Sequence, residues 1–297
     1  MQTRNGNQTP IVNVPNESNA PLADKAKAEL EVLKKKLLDH TKAAEKPFQD
    51  WLAATSKESN KSMMPAGLDF HLKLDETKGK KVSDVIDAKR VGVIQGKPIF
   101  KAGKIGGAIE LNGSTHLNFG QVNDFDRNEA FSISAWFLWN KKDGAIVSKM
   151  TNGGNFRGYD MLISGGHLEF HLISTWPGDA MKIRTKNKLR ENTWQHVCLT
   201  YDGSSKSSGA KIYFDGVLQQ HDIEQDGLKG TTKNDVPFLI GQRNNGAPLK
   251  GLIDDIRVYS RNLSEAEVKT LTGENGLRKL LAIESTKRTP AQNKTIK

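Results

Sequence analysis

Leu22, Ala26, Leu30, Leu33 and Leu37 recur at spacings of four and three, which places them on one stripe of a helix. The pattern predicts an amphipathic helical spacer over 21–55. Pro47 lacks an amide donor and is expected to break or kink it, with Phe48, Trp51 and Leu52 continuing an apolar face beyond. The stripe falls short of the sustained heptads of a coiled coil, so a neighbouring domain and another helix both stay open as its partner. Residues 1–20 are rich in Asn, Gln, Pro and Ser and hold too few large apolar side chains to offset the entropy of ordering, which predicts a disordered arm. Residues 56–66 read as a polar linker.

Beyond Gly67 the period changes to two. Phe131, Ile133, Ala135, Phe137 and Trp139 alternate with Ser132, Ser134, Trp136 and Leu138, the pattern of a strand buried on both faces. Further strand-like runs occupy 145–149, 159–164, 167–173, 194–201, 211–215, 238–241 and 253–259. Turn dipeptides such as Asn112-Gly113, Gly165-Gly166 and Asp215-Gly216 punctuate them. Short strands with turns between them and no intervening helices predict a mainly β fold, an antiparallel two-sheet jelly-roll sandwich over 67–272. A helix closes this domain: Ser264 is its cap, Glu267 completes a capping box, Leu263 staples against Val268, and Gly273 is expected to stop it. The tail at 273–297 reads as the approach to a further domain.

Composition narrows the function classes. The 297 residues carry 44 Lys and Arg against 34 Asp and Glu, a net charge of +10, but the basic residues are spread rather than clustered with stacking aromatics. That distribution argues against nucleic acid as a partner. No run of 18 apolar residues suggests a membrane span, and no signal peptide is legible at the start. The lone Cys198 excludes a disulfide framework and a Cys-x-x-Cys-His haem attachment within this chain.

The ordered strings GGAIELNG (106–113), FSISAWF (131–137), WQHVCLTYDG (194–203), KIYFDG (211–216) and GLIDDIRVY (251–259) resemble the laminin-G-like, concanavalin A-like jelly-roll superfamily. RGYD (157–160), HLISTWPG (171–178) and the tail strings LLAI (280–283) and KRTP (287–290) resemble a narrower group, the module of large secreted planctomycete-type cytochrome c proteins. This resemblance implies a secreted, periplasmic or cell-surface location, neighbouring domains of a larger parent protein as partners, and haem only in sequence outside this chain. It also implies one structural calcium ion, since Asn112 and Asp254 resemble positions that bind calcium in relatives. The family pattern often has Asp where Asn112 stands, and a hydrogen-bonding role for both residues is the competing reading.

A sandwich offers a sheet face and rim loops for recognition. Sugar binding needs an aromatic ring beneath the pyranose and polar groups around it. Arg157, Tyr159, Glu169, His171, Trp176 and Asp179 supply these within a short stretch, and Glu169 and His171 share a strand face with His167, opposite Leu168, Phe170 and Leu172. A solvated face with Trp176 packing a loop is the alternative. Asp222, Glu224 and Asp226 have the two-residue spacing of a retaining glycosidase pair but lack that family's Glu-x-Asp-x-Glu pattern, so a solvated edge strand is the better reading. Cys198 and His196 read as a buried pair. The expectation is therefore a noncatalytic module that binds polysaccharide or another glycan. A structural spacer contacting neighbouring domains and a glycan-cleaving enzyme on the same sandwich are the alternatives.

Overall fold

A computed structural model of the chain describes residues 20–58 and 64–274. Most of the predicted arm and tail, and part of the linker, lie outside the described residues. The chain divides into two compact units, 1–60 and 61–297.

In the first unit, helix α1 runs from Ala20 to Glu58 with Pro47 inside it. The helix thus continues past the predicted break near Pro47, because a proline removes one donor while the surrounding turns keep theirs. Leu22, Leu30, Leu33 and Leu37 are all at least half exposed along it.

Among its described residues the second unit has seventeen strands: β1 (Leu68–Leu72), β2 (Lys81–Ser83), β3 (Val91–Gln95), β4 (Phe100–Ala102), β5 (Gly107–Asn112), β6 (His116–Asn118), β7 (Phe131–Trp139), β8 (Gly144–Met150), β9 (Gly158–Ser164), β10 (His167–Thr175), β11 (Asp179–Lys188), β12 (Trp194–Tyr201), β13 (Ala210–Phe214), β14 (Val217–Leu218), β15 (His221–Asp226), β16 (Leu239–Ile240) and β17 (Lys250–Tyr259). They form two sheets, one ordered β14-β13-β12-β7-β17-β5-β4 with β1 also on β17, the other ordered β15-β11-β10-β9-β8-β16-β6-β3-β2. The pairings are antiparallel, as in the predicted two-sheet sandwich.

One apolar layer joins the sheets. Phe131, Ile133 and Phe137 of β7 and Val197 and Leu199 of β12 meet Met161 and Ile163 of β9, Phe170 of β10 and Ile183 of β11. Phe131 contacts Phe170 edge-on at 6.2 Å between ring centroids and lies 5.3 Å from the Tyr159 ring. Alternation along β10 sends Leu168, Phe170 and Leu172 into this layer and leaves Glu169 and His171 on the other face. The β9–β10 hairpin turns through Gly165 and Gly166, both at positive φ, which fixes Ser164 opposite His167 and so sets the register of the whole face. Helix α2 (Glu265–Lys269) begins at Ser264 with both bonds of the predicted capping box. It ends at Lys269, ahead of Gly273, and a π-helical turn follows over Thr270–Glu274. Val268 and Leu271 pack over Cys198, Tyr213 and Tyr259 on the outer side of the first sheet.

Candidate functional site

The outer face of the second sheet gathers charged residues that are far apart in sequence. Antiparallel register sets His171 between Asp160 of β9 and Lys182 of β11, and sets Glu169 between Leu162 and Arg184. Asp160 is fully buried; its Oδ1 lies 2.8 Å from His171 Nδ1, and its Oδ2 accepts from Arg243 Nε at 2.6 Å. Burial opposes ionisation of Asp160, but the Arg243 guanidinium and the His171 N–H outweigh it and hold the carboxyl below its ordinary range. Glu169 accepts from Arg184, and its other oxygen lies 3.2 Å from Lys182 Nζ and 3.6 Å from His171 Nε2. Lys182 also reaches Glu224 at 2.7 Å.

Aromatic side chains wall this array. Trp176 is 36% exposed, and its ring stands edge-on to His171 at 6.1 Å between centroids. The Trp176 amide donates to the Asn155 carbonyl at 3.0 Å, which brings the loop after β10 against the loop before β9. Phe156 of that second loop lies under the Arg243 guanidinium, 5.6 Å from its carbon to the ring centre. Glu169, His171, Trp176, Lys182, Arg243 and Phe156 line a pocket of about 230 Å³ whose apolar floor is Leu162 and Ile173.

Three of the six predicted ligand residues, Glu169, His171 and Trp176, meet in this pocket. Tyr159 does not: it is 1% exposed, packs with Phe131 in the core and donates to the Asn123 carbonyl at 2.7 Å. Strand parity explains the difference, since Asp160 beside it faces the pocket side and Tyr159 the core. Arg157 donates to the Ser174 carbonyl at 3.3 Å and does not line the pocket. Asp179 serves a turn; burial disfavours its charge, but the amides of Lys229 and Gly230 hold its carboxyl below the ordinary range. Asp160, Lys182 and Arg243 escaped the sequence reading because cross-strand register sets Asp160 and Lys182 beside His171, and the loop after β16 brings Arg243 to Asp160. The RGYD string held Asp160, and strand parity from Tyr159 was the signal that would have found it.

The two predicted calcium ligands do not converge. Asn112 pairs with Lys250 in register, and Asp254 lies four residues further along β17, about 13 Å at strand rise. Asn112 Oδ1 already accepts from Ser114 N (3.0 Å), Ser114 Oγ (2.9 Å) and Thr115 N (2.9 Å), so it fits a turn rather than a metal. Asp254 differs. It is fully buried, its Oδ2 accepts from the Ile105 amide at 2.7 Å, and among the described residues its Oδ1 has no hydrogen-bond partner. Burial, with the Asp255 and Asp75 charges nearby, pushes its carboxyl up to about 7, and an orphaned buried oxygen of this kind fits a hard cation. Among the described residues no group of three or more His, Cys, Asp or Glu side chains is placed to hold a metal ion.

The remaining candidates are engaged in other contacts or buried. Asp222 and Glu224 form ion pairs with Lys186 and Lys182 on the exposed edge strand β15, and Asp226 accepts from the Ser207 amide at 2.6 Å. Cys198 is fully buried and burial pushes its thiol up, while burial lowers His196 to about 4. Neither arrangement supplies a thiolate nucleophile near neutral pH.

The family model described as the concanavalin A-like lectin/glucanases superfamily matches residues 111–269, 159 of the 297. The comparison with curated proteins gives no match. Among solved structures, the binding domain of Paraclostridial Mosquitocidal Protein 1 is similar at 18% identity and TM-score 0.56, over 70% of this chain and 52% of that one. A structure of botulinum neurotoxin type C, whose cell entry depends on interaction with two ganglioside molecules, is similar at 16% identity and TM-score 0.52, over 70% of this chain and 51% of that one. Trypanosoma rangeli sialidase in complex with sialic acid is similar at 15% identity and TM-score 0.53, over 73% of this chain and 34% of that one. The chain thus spans about half the length, or less, of these structures, and at such identities the likeness is one of fold.

Proposed function

Since the chain belongs to the concanavalin A-like lectin/glucanases superfamily, we propose that its sandwich is a noncatalytic lectin-like module that holds a glycan in the Trp176 pocket. The observation that carries this reading is an exposed indole beside polar side chains already locked in position. Asp160 and Glu169 fix His171, Lys182 and Arg243 through buried ion pairs, so little side-chain entropy remains to be lost when a ligand arrives. The indole gives a sugar ring a flat apolar surface, and the surrounding groups give its hydroxyls hydrogen-bond partners. Glycan binding by the similar structures is a property of those proteins, and it is carried to this chain as part of the proposal.

Catalysis fits the pocket poorly. A glycosidase needs one carboxyl that is protonated at working pH. Asp160 is held ionised by Arg243 and His171, and Glu169 is paired with Lys182 and Arg184. The array is one of fixed charges, suited to binding.

Three finer points belong to the same proposal. Asp254, without Asn112, is the side-chain ligand of a structural calcium ion. The module works outside the cell as part of a larger secreted protein, with any haem elsewhere in that parent. The leucine stripe of α1 contacts the neighbouring domains, which is also the feature that favours a spacer role. A glycan array probed with wild type and Trp176→Ala tests the reading. Binding that the substitution removes supports it; undiminished binding, or release of reducing ends from any bound glycan, overturns it.

A further inference from the structure

The pocket's charges are layered. Its carboxylates lie beneath, with Asp160 and Glu169 side chains 0% and 3% exposed, while the Arg243, Lys182 and Arg184 side chains stand further out at 13%, 15% and 27%. Asp160 and Glu169 are thus screened behind the cations, while Glu224, 38% exposed and 2.7 Å from Lys182, stands at the outer level with them.

The hydrogen-bond inventory points the same way. Asp160 takes His171 and Arg243, and Glu169 takes Arg184 and Lys182, so the acceptor oxygens of the site are engaged inside it. Donors are left over. Lys182 has three N–H groups and two carboxylate neighbours, and among the described residues no protein acceptor stands against Arg243 Nη1. His171 Nδ1, facing a carboxylate that only accepts, is the donor of its pair. A site whose carboxylate oxygens are engaged and whose cations keep spare N–H groups favours a ligand that brings anionic oxygens.

We propose that the glycan held in this pocket is acidic, a sugar carrying a carboxylate or a sulfate ester, with its ring against Trp176 and its anionic oxygens against Lys182 and Arg243. This rests on the lectin-like reading of the same pocket and adds the chemical class of the ligand. A plain cationic surface does not explain the arrangement, because the two cations converge on one small cavity beside the exposed indole and each is anchored by a buried carboxylate.

The test is calorimetric titration of the full chain with matched oligosaccharides. Trigalacturonate is compared with its methyl ester, and sulfated cellobiose with cellobiose, at 50 and 300 mM NaCl. The expected result is at least tenfold tighter binding of the anionic member in one pair, weakening as salt rises. The pair that responds tells carboxylate from sulfate. Lys182→Gln should weaken that binding severalfold and Lys182→Arg should restore most of it, while Lys89→Gln, on the exposed β2–β3 loop, should weaken it less than twofold. Equal affinity for charged and neutral members, with Trp176→Ala abolishing both, overturns the acidic assignment and leaves the lectin reading standing. No binding of any of the four overturns both, and equal losses from Lys182→Gln and Lys89→Gln show attraction to net charge alone and overturn the assignment to this pocket.

Discussion

His171 and Asp160 face each other across strands β10 and β9, with the imidazole Nδ1 2.8 Å from a carboxylate that is 0% exposed. The same carboxylate carries the Arg243 guanidinium at 2.6 Å. One buried acid therefore orients two groups that line the pocket, and its loss is felt in both the fold and the site.

Asp160→Asn leaves Arg243 and His171 without their counter-charge. Removing one partner of a buried ion pair costs about 3–5 kcal/mol, and urea unfolding of the variant at pH 7 should show a loss of that order. Unchanged stability would mean that the pair contributes little.

The acid limb follows from carboxyls held below their ordinary range, including Asp160, Asp179, Asp255 and Glu267, the last at about 2. For such groups the unfolded chain binds protons more readily than the folded one. Their stabilisation is complete above the unfolded values near 4 and fades as pH falls through the folded values. Between pH 7 and 5 the raised Asp254, near 7, adds stability as pH falls while the lowered His196, near 4, removes it; below about pH 5 the lowered carboxyls should make unfolding free energy decline towards pH 2.5, with a shallower decline in Asp160→Asn.

Parity and register together separate what was legible in the sequence from what was not. Alternation along β7 and β10 announced the strands and placed Glu169 and His171 on one face, because side-chain direction in a strand depends only on neighbours in sequence. Residue type marks Tyr159 as a sugar contact, but the core around Phe131 takes its ring and leaves Asp160 on the outer face. Lys182 arrives through the β10–β11 register and Arg243 through an ion pair with Asp160 83 residues away, neither of which local pattern encodes. The capping box at Ser264 was readable for the opposite reason, since both of its bonds lie within four consecutive residues. Helix α1 running through Pro47 shows a local signal yielding to the turns around it.

Lys149 carries a separate prediction. Its side chain is 0% exposed, and its ammonium donates to Gln121 Oε1 (2.8 Å), Val236 O (2.7 Å) and Asn234 O (3.2 Å), with Asp124 at 3.6 Å. It therefore ties the 121–124 loop to the 234–236 loop. Lys149→Met keeps much of the volume but strands those oxygens, and should cost about 2–4 kcal/mol in urea unfolding. A neutral substitution would mean that the loops are held by other contacts.

Asp254 distinguishes a cation site from a neutral buried acid. At pH 8, 5 mM calcium should raise the melting temperature of wild type by several degrees and leave Asp254→Asn unmoved. Asn112→Ala should keep the calcium response, because its side-chain oxygen is committed to Ser114 and Thr115. No response in wild type would remove the ion from the account.

The most direct measurement follows the five tryptophan indole N–H signals by NMR while an oligosaccharide bound on the array is titrated in. Recognition at the outer face of the second sheet predicts that the Trp176 signal shifts and saturates while those of the buried Trp136 and Trp139 stay near their positions. A saturating titration that leaves the Trp176 signal unmoved would contradict it.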